Sequence, residues 1–159
     1  YFISLETLIC KKKYIDQISF RFNDQFAMIS DLDLTIRLSK ICKLEYCSAI
    51  LSKWRIHENS ETWTKKEKFF DEKLKLASIL ESEKFFINDN MVKKFKNNIY
   101  FSKIFNFIEK GEGRKNLIKE LKKISEKNIK FYLTMIIVII PFNKFVIKIY
   151  RYFFDIIPK

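Results

Sequence analysis

Along most of this chain, apolar residues recur at helical spacing, and the first third departs most from that rhythm. From residue 64 to about residue 108, Phe, Leu and Ile stand three and four apart among lysines and glutamates, which predicts long amphipathic helices broken near "INDN" (87–90). "GEGR" (111–114) is the next break, and Arg114 to Lys127 predicts a further amphipathic helix. Leu34, Leu38 and Ile41, at i, i+4 and i+7, predict a helix from Asp31 to about Lys43. "KKKYIDQI" (11–18) suits a short helix, and "SFRFNDQFAM" (19–28) a loop around Asn23 and Asp24. Residues 2–10 and 44–56 read as strands, the second rich in aromatic and branched residues and bounded by "HENSE".

The last thirty residues follow a different pattern. "FYLTMIIVII" with Pro141 and Phe142 is apolar except at Thr134. A spanning helix needs about 20 apolar residues, so this run is too short to cross a bilayer alone. Pro141 should kink or end the helix, and "NKFVIKIYRYFFDIIPK" then resumes with Lys144, Lys148 and Arg151. Two readings stand open: a buried core helix, or, favoured beside the basic region, a helix lying in the membrane interface or forming a shallow re-entrant hairpin. In the second, Ile136, Ile137, Ile139, Ile140 and Phe142 enter the acyl boundary while Lys144, Lys148 and Arg151 meet the headgroups.

Composition narrows the class. The 159 residues suit one domain or about one and a half, and 48% hydrophobic content is enough for a real core. Two Gly and two Pro favour helix over a turn-rich sandwich. Cys10, Cys42 and Cys47 lack CxxC spacing and His57 is the single histidine, so the thiols read as reduced and intracellular, and a zinc site is disfavoured. The opening "YFISLETLIC" is already apolar, without a signal-peptide pattern, and reads as a piece of something longer. Charge is uneven. Residues 1–63 carry nine Lys and Arg against eight Asp and Glu, whereas residues 64–159 carry twenty-two against eleven, which is +11 of the total +12. A basic, aromatic chain also fits a nucleic-acid binder. That reading is the weakest, because the charge lies beside an apolar tail and no nucleic-acid motif is present.

Candidate chemistry begins at "SDLDLTIRL" (30–38). Ser30 and Asp33 have the spacing of a capping box, which gives Asp33 a structural task and leaves Asp31 without one. Some 20 residues on, a strand-like stretch closes on Trp54-Arg55-Ile56-His57-Glu58-Asn59-Ser60. Together these resemble the second half of the catalytic domain of family-two glycosyltransferases, inverting enzymes of GT-A fold. Their E-D-x-D-L motif, followed by a helix bearing an Arg, stands here as Ser30-Asp31-Leu32-Asp33-Leu34 with Arg37. Their Tyr/Trp-Arg-x-His-x-x-Ser pattern is matched from Trp54 to Ser60. "FRFNDQF" (20–26) is similar to their Phe-Asp-Glu loop, with Asn23-Asp24 at the acidic pair, and "ISLETLICKKKYID" (3–16) to the segment before it. Ser30 replaces the leading Glu.

The resemblance implies an α/β fragment over 1–63, the acceptor-side half of a GT-A nucleotide-sugar transferase domain. A helical extension over 64–127 and a membrane-associating tail over 128–159 would follow it. It implies Asp31 as general base toward an acceptor hydroxyl, with Asp33 as cap and second choice. It places Arg55 and His57 near the donor diphosphate, His57 close to a divalent cation (Mg or Mn), and Trp54 and Ser30 near the acceptor. The donor half with the metal-binding Asp-x-Asp would lie N-terminal to Tyr1, so no metal is expected on this segment alone. Asp31-Leu32-Asp33 opens a helix rather than ending a hydrophobic strand and is not that motif. The implied partners are a nucleotide-sugar donor, a glycan or lipid-linked acceptor and an anionic membrane surface, without nucleic acid. The implied setting is the cytoplasmic face of a bacterial inner membrane, in surface polysaccharide synthesis. The alternative is a non-enzymatic, basic helical adaptor at a membrane surface.

Overall fold

The structure is a computed structural model that describes residues 7–49, 51–53, 64–83 and 89–140. Among these residues six helices follow in order: α1 (Lys12–Ile15), α2 (Ser30–Ser39), α3 (Lys66–Ser82), α4 (Asp89–Lys110), α5 (Arg114–Leu121) and α6 (Ile129–Ile139). No strand occurs among the described residues, so the expected α/β fragment is corrected to a mainly helical chain. The predicted strand at 44–56 shows why. Its described part, 44–49 and 51–53, is irregular and exposed, Leu44, Tyr46 and Leu51 included. A strand needs a neighbour to satisfy its N–H and C=O groups, and the described residues contain none. Residues 1–6 of the other expected strand, and 54–56, lie outside them.

Two compact units divide the chain at Leu76 and Ala77, within α3. In the first, Phe26, Ile29, Leu34, Leu38, Phe70 and Leu76 are buried. Leu34 and Leu38 are two of the three periodic positions read from sequence. Ile41 is exposed instead, because α2 stops at Ser39 and the N–H groups of Ile41 and Cys42 both fold back on the Leu38 carbonyl at 3.0 Å.

The second unit has a continuous apolar cluster. Phe101, Ile104 and Ile108 of α4 meet Leu117 and Leu121 of α5, Ile124 after it, and Ile137 and Val138 of α6. Gly111 ends α4 with a φ of 79°. The N–H of Glu112 bonds to the Phe107 carbonyl at 2.9 Å and that of Gly111 to Ile108 at 3.1 Å. This is a Schellman closure, which needs a residue that tolerates left-handed backbone. α5 stops short of the predicted Lys127. Lys123 and Ile124 tighten onto carbonyls three residues back, and the N–H of Ser125 is taken by Asn97 Oδ1 of α4 at 3.0 Å. A buried side-chain acceptor thus replaces the next helical carbonyl. α6 starts ahead of the predicted apolar run because Asn128 caps it, accepting the Phe131 N–H on Oδ1 at 3.1 Å.

The two readings of the apolar run divide between the faces of α6. Thr134, Ile137 and Val138 are buried, so Ile137 belongs to the core and not to a lipid-facing set. Ile136 and Ile139 are exposed. Phe142, Lys144, Lys148 and Arg151 lie outside the described residues. No helix among the described residues is long and apolar enough to cross a membrane.

Candidate functional site

The start of α2 is organised by contacts from the loop before it and from α3. Asn23 forms a tight turn, its Oδ1 accepting the Gln25 N–H at 3.0 Å and its carbonyl the Phe26 N–H at 2.9 Å. Phe26 is buried beyond the turn, with the Lys75 ammonium 5.9 Å from its ring centroid. The next two N–H groups meet Glu72 of α3. Its Oε1 accepts from Ala27 at 3.2 Å and its Oε2 from Met28 at 2.8 Å. Glu72 is only 7% exposed, with Lys68 Nζ 3.9 Å from Oε1. One carboxylate holding two consecutive amides is a charge-assisted, two-point grip. It fixes the approach of the chain to α2.

The predicted capping box does not form. Ile29 is the N-cap residue, without a side-chain cap, and Ser30 already lies within the helix. The buried Asp33 carboxylate turns instead to Arg37, one turn on. Asp33 Oδ2 accepts from Arg37 Nε at 2.9 Å and lies 2.8 Å from Nη2. The same guanidinium donates from Nη1 to the Phe20 carbonyl at 2.5 Å and from Nη2 to the Arg21 carbonyl at 3.0 Å, and stacks 4.6 Å from the Phe20 ring centroid. A planar fork of five donors can serve all these partners together. Asp33 is therefore not a cap but the anchor of an arginine that ties α2 to the 20–21 loop.

Asp31 has different surroundings. It is half-buried in the first turn, where the helix dipole favours negative charge. Its Oδ1 accepts the Leu32 N–H at 2.8 Å, and its carbonyl accepts the Thr35 hydroxyl at 2.8 Å. Its charge is felt by Lys73 of α3. Burial pushes the Lys73 pKa down, and the Asp31 carboxylate partly opposes this. Consecutive α3 residues thus reach the start of α2: Glu72 through the backbone, Lys73 through the field of Asp31. Asp31 is thus a carboxylate held in place at the helix N-terminus, with Oδ1 on the Leu32 N–H.

Of the residues singled out in the sequence, Ser30, Asp31 and Asp33 share the first turn of α2, with Ser30 half-buried. Trp54, Arg55 and His57 lie outside the described residues. No group of three or more His, Cys, Asp or Glu suited to a metal ion occurs among the described residues, so they supply no donor set for the expected cation. Sequence reasoning missed Glu72 and Lys73, which read as solvated members of a Lys/Glu-rich helix. The available signal was register, since Glu72 stands one turn before the buried Leu76. Comparison with family models, curated proteins and solved structures found no match in any of the three.

Proposed function

We propose that this chain is the acceptor-side portion of an inverting glycosyltransferase, moving a sugar from a nucleotide-sugar donor to a hydroxyl of a glycan or lipid-linked acceptor. The observation that supports it is the division of labour between two acids one residue apart. Asp33 is committed to Arg37, and Arg37 to the loop carbonyls, so this pair builds the scaffold. Asp31 is half-buried at the positive end of the helix, on a segment gripped by Glu72. In the proposed step Asp31 takes the proton of the acceptor hydroxyl. The oxygen attacks the anomeric carbon, and the bond to the nucleoside diphosphate breaks on the opposite face with inversion. Arg55 and His57 would act on the diphosphate side by resemblance alone.

The test is Asp31→Asn in the transferase that carries this segment. Transfer should fall 10²–10⁴-fold, the typical cost of losing general-base help, with donor binding retained. His57→Ala should weaken use of the donor more than use of the acceptor. A folded Asp31→Asn enzyme with unchanged turnover would remove the proposal. The all-helical described architecture favours a second reading, a non-enzymatic basic adaptor, in which neither substitution has a transfer activity to change.

A further inference from the structure

α6 presents an apolar stripe that the helices around it do not cover. Ile129 is 80% exposed, Tyr132 49%, Leu133 37%, Ile136 50% and Ile139 57%. These positions run i, i+3, i+4, i+7, i+10, which is one face of the helix, and no charged residue falls among them. The opposite face is closed, because Thr134, Ile137 and Val138 are buried and Lys130 lies with its ammonium 4.6 Å from the Phe101 ring centroid. An exposed row of large side chains on one helix face marks a surface that meets another apolar phase.

Charge identifies that phase. Residues 114–130, which run into α6, carry seven Lys and Arg against two Glu, and residues 64–159 carry twenty-two against eleven. A second copy of this chain would bring like charge against like charge. A nucleic acid would match the charge but not the row of isoleucines. A bilayer with anionic headgroups matches both at once. We infer that the Ile129–Ile139 stripe of α6 docks on an anionic membrane surface, lying in its plane with the apolar face inward and neighbouring lysines at the headgroups. This holds under either reading of function, because it rests on the α6 stripe and the basic charge of the sequence around it.

The whole chain is tested by flotation with phosphatidylcholine vesicles, with and without roughly a third phosphatidylglycerol. Binding is expected to the mixed vesicles, at least several-fold weaker to pure phosphatidylcholine. In 0.5 M salt it should weaken without vanishing, since screening acts on charge and leaves apolar burial. Ile136→Asp, at a half-exposed position outside the buried cluster, should lower partitioning roughly tenfold or more. Ile118→Asp, an exposed apolar position on α5, should leave it unchanged. Flotation that ignores Ile136→Asp would overturn the assignment, as would absence of binding to either vesicle by a monomeric chain. A concentration-dependent dimer that Ile136→Asp dissolves, without vesicle binding, would give the stripe to a second copy and overturn it equally.

Discussion

The start of α2 and the cluster of α4, α5 and α6 are both ordered, by different means. Around α2, polar groups carry the positional information: Glu72 on two amides, and Arg37 on a carboxylate and two carbonyls. In the second unit, eight buried apolar residues, seven from consecutive helices and Ile124 from the link after α5, close on one another. Hydrogen bonds and ion pairs are directional, so they fix where a particular backbone segment lies. Apolar packing is additive and tolerant, so it fixes that helices meet. A candidate catalytic carboxylate needs the first kind of support. A platform for a surface helix needs only the second.

The largest effects should separate the two regions by the type of residue removed. Ile104→Ala, at a site with no solvent exposure, should cost about 4 kcal/mol by urea unfolding. Asp33→Ala should cost about 3 kcal/mol, because it leaves a largely buried guanidinium without its carboxylate. That exceeds the roughly 1 kcal/mol of a lost helix cap, so the measurement discriminates between anchor and cap. If Asp33→Ala proved as mild as a cap loss, the claim that polar anchors organise α2 would fail.

A smaller effect sharpens the same contrast. Glu72→Gln keeps shape but sets an amide NH2 against a backbone N–H, so one of the two grips is lost. Unfolding free energy should drop by about 2 kcal/mol. Native-state hydrogen exchange should speed at the Ala27 and Met28 amides well before it speeds in α4. Equal acceleration in both places would mean that Glu72 supports the fold generally and not the approach to α2.

Legibility from sequence follows the same division. The glycine stop after Lys110 and the amphipathic spacing of the second unit were readable, because periodicity and turn chemistry are local, whereas Asp89 and Asn90 of the expected break at 87–90 belong to α4. The ends of α5 and α6 were set by Asn97 and Asn128, single polar side chains whose partners spacing alone does not reveal. At α2 the helix was legible and its wiring was not. Asp33 had two local suitors, the first-turn amides and Arg37 one turn on, and the Phe20 and Arg21 carbonyls that hold Arg37 lie seventeen and sixteen residues away. Glu72 lies more than forty residues from the amides it holds. The strand expected at 44–56 failed for the complementary reason. Branched and aromatic residues favour a strand only where another strand is present to pair.

The smallest effect concerns Lys73, where burial and attraction compete. Burial pushes its pKa down and Asp31 pulls it back, with burial the larger influence. In the unfolded chain the group keeps its ordinary value of about 10.4. Between the lowered folded value and that figure the unfolded state binds more protons, so Lys73 makes stability rise with pH across this window. Below the window both states are charged, and the folded state bears the net cost of a half-buried ammonium. Lys73→Met keeps most of the aliphatic stem and removes the charge. Stability at pH 7 should therefore rise by no more than about 0.5 kcal/mol, and the climb toward pH 10 should flatten. Urea unfolding of parent and variant at pH 7 and pH 10 reads both quantities. A variant less stable than its parent at pH 7 would show that the attractions of the ammonium, to Asp31 and to the Phe69 ring 4.1 Å away, together outweigh desolvation. Lys73 would then be a further polar anchor of the α2 entrance, alongside Glu72.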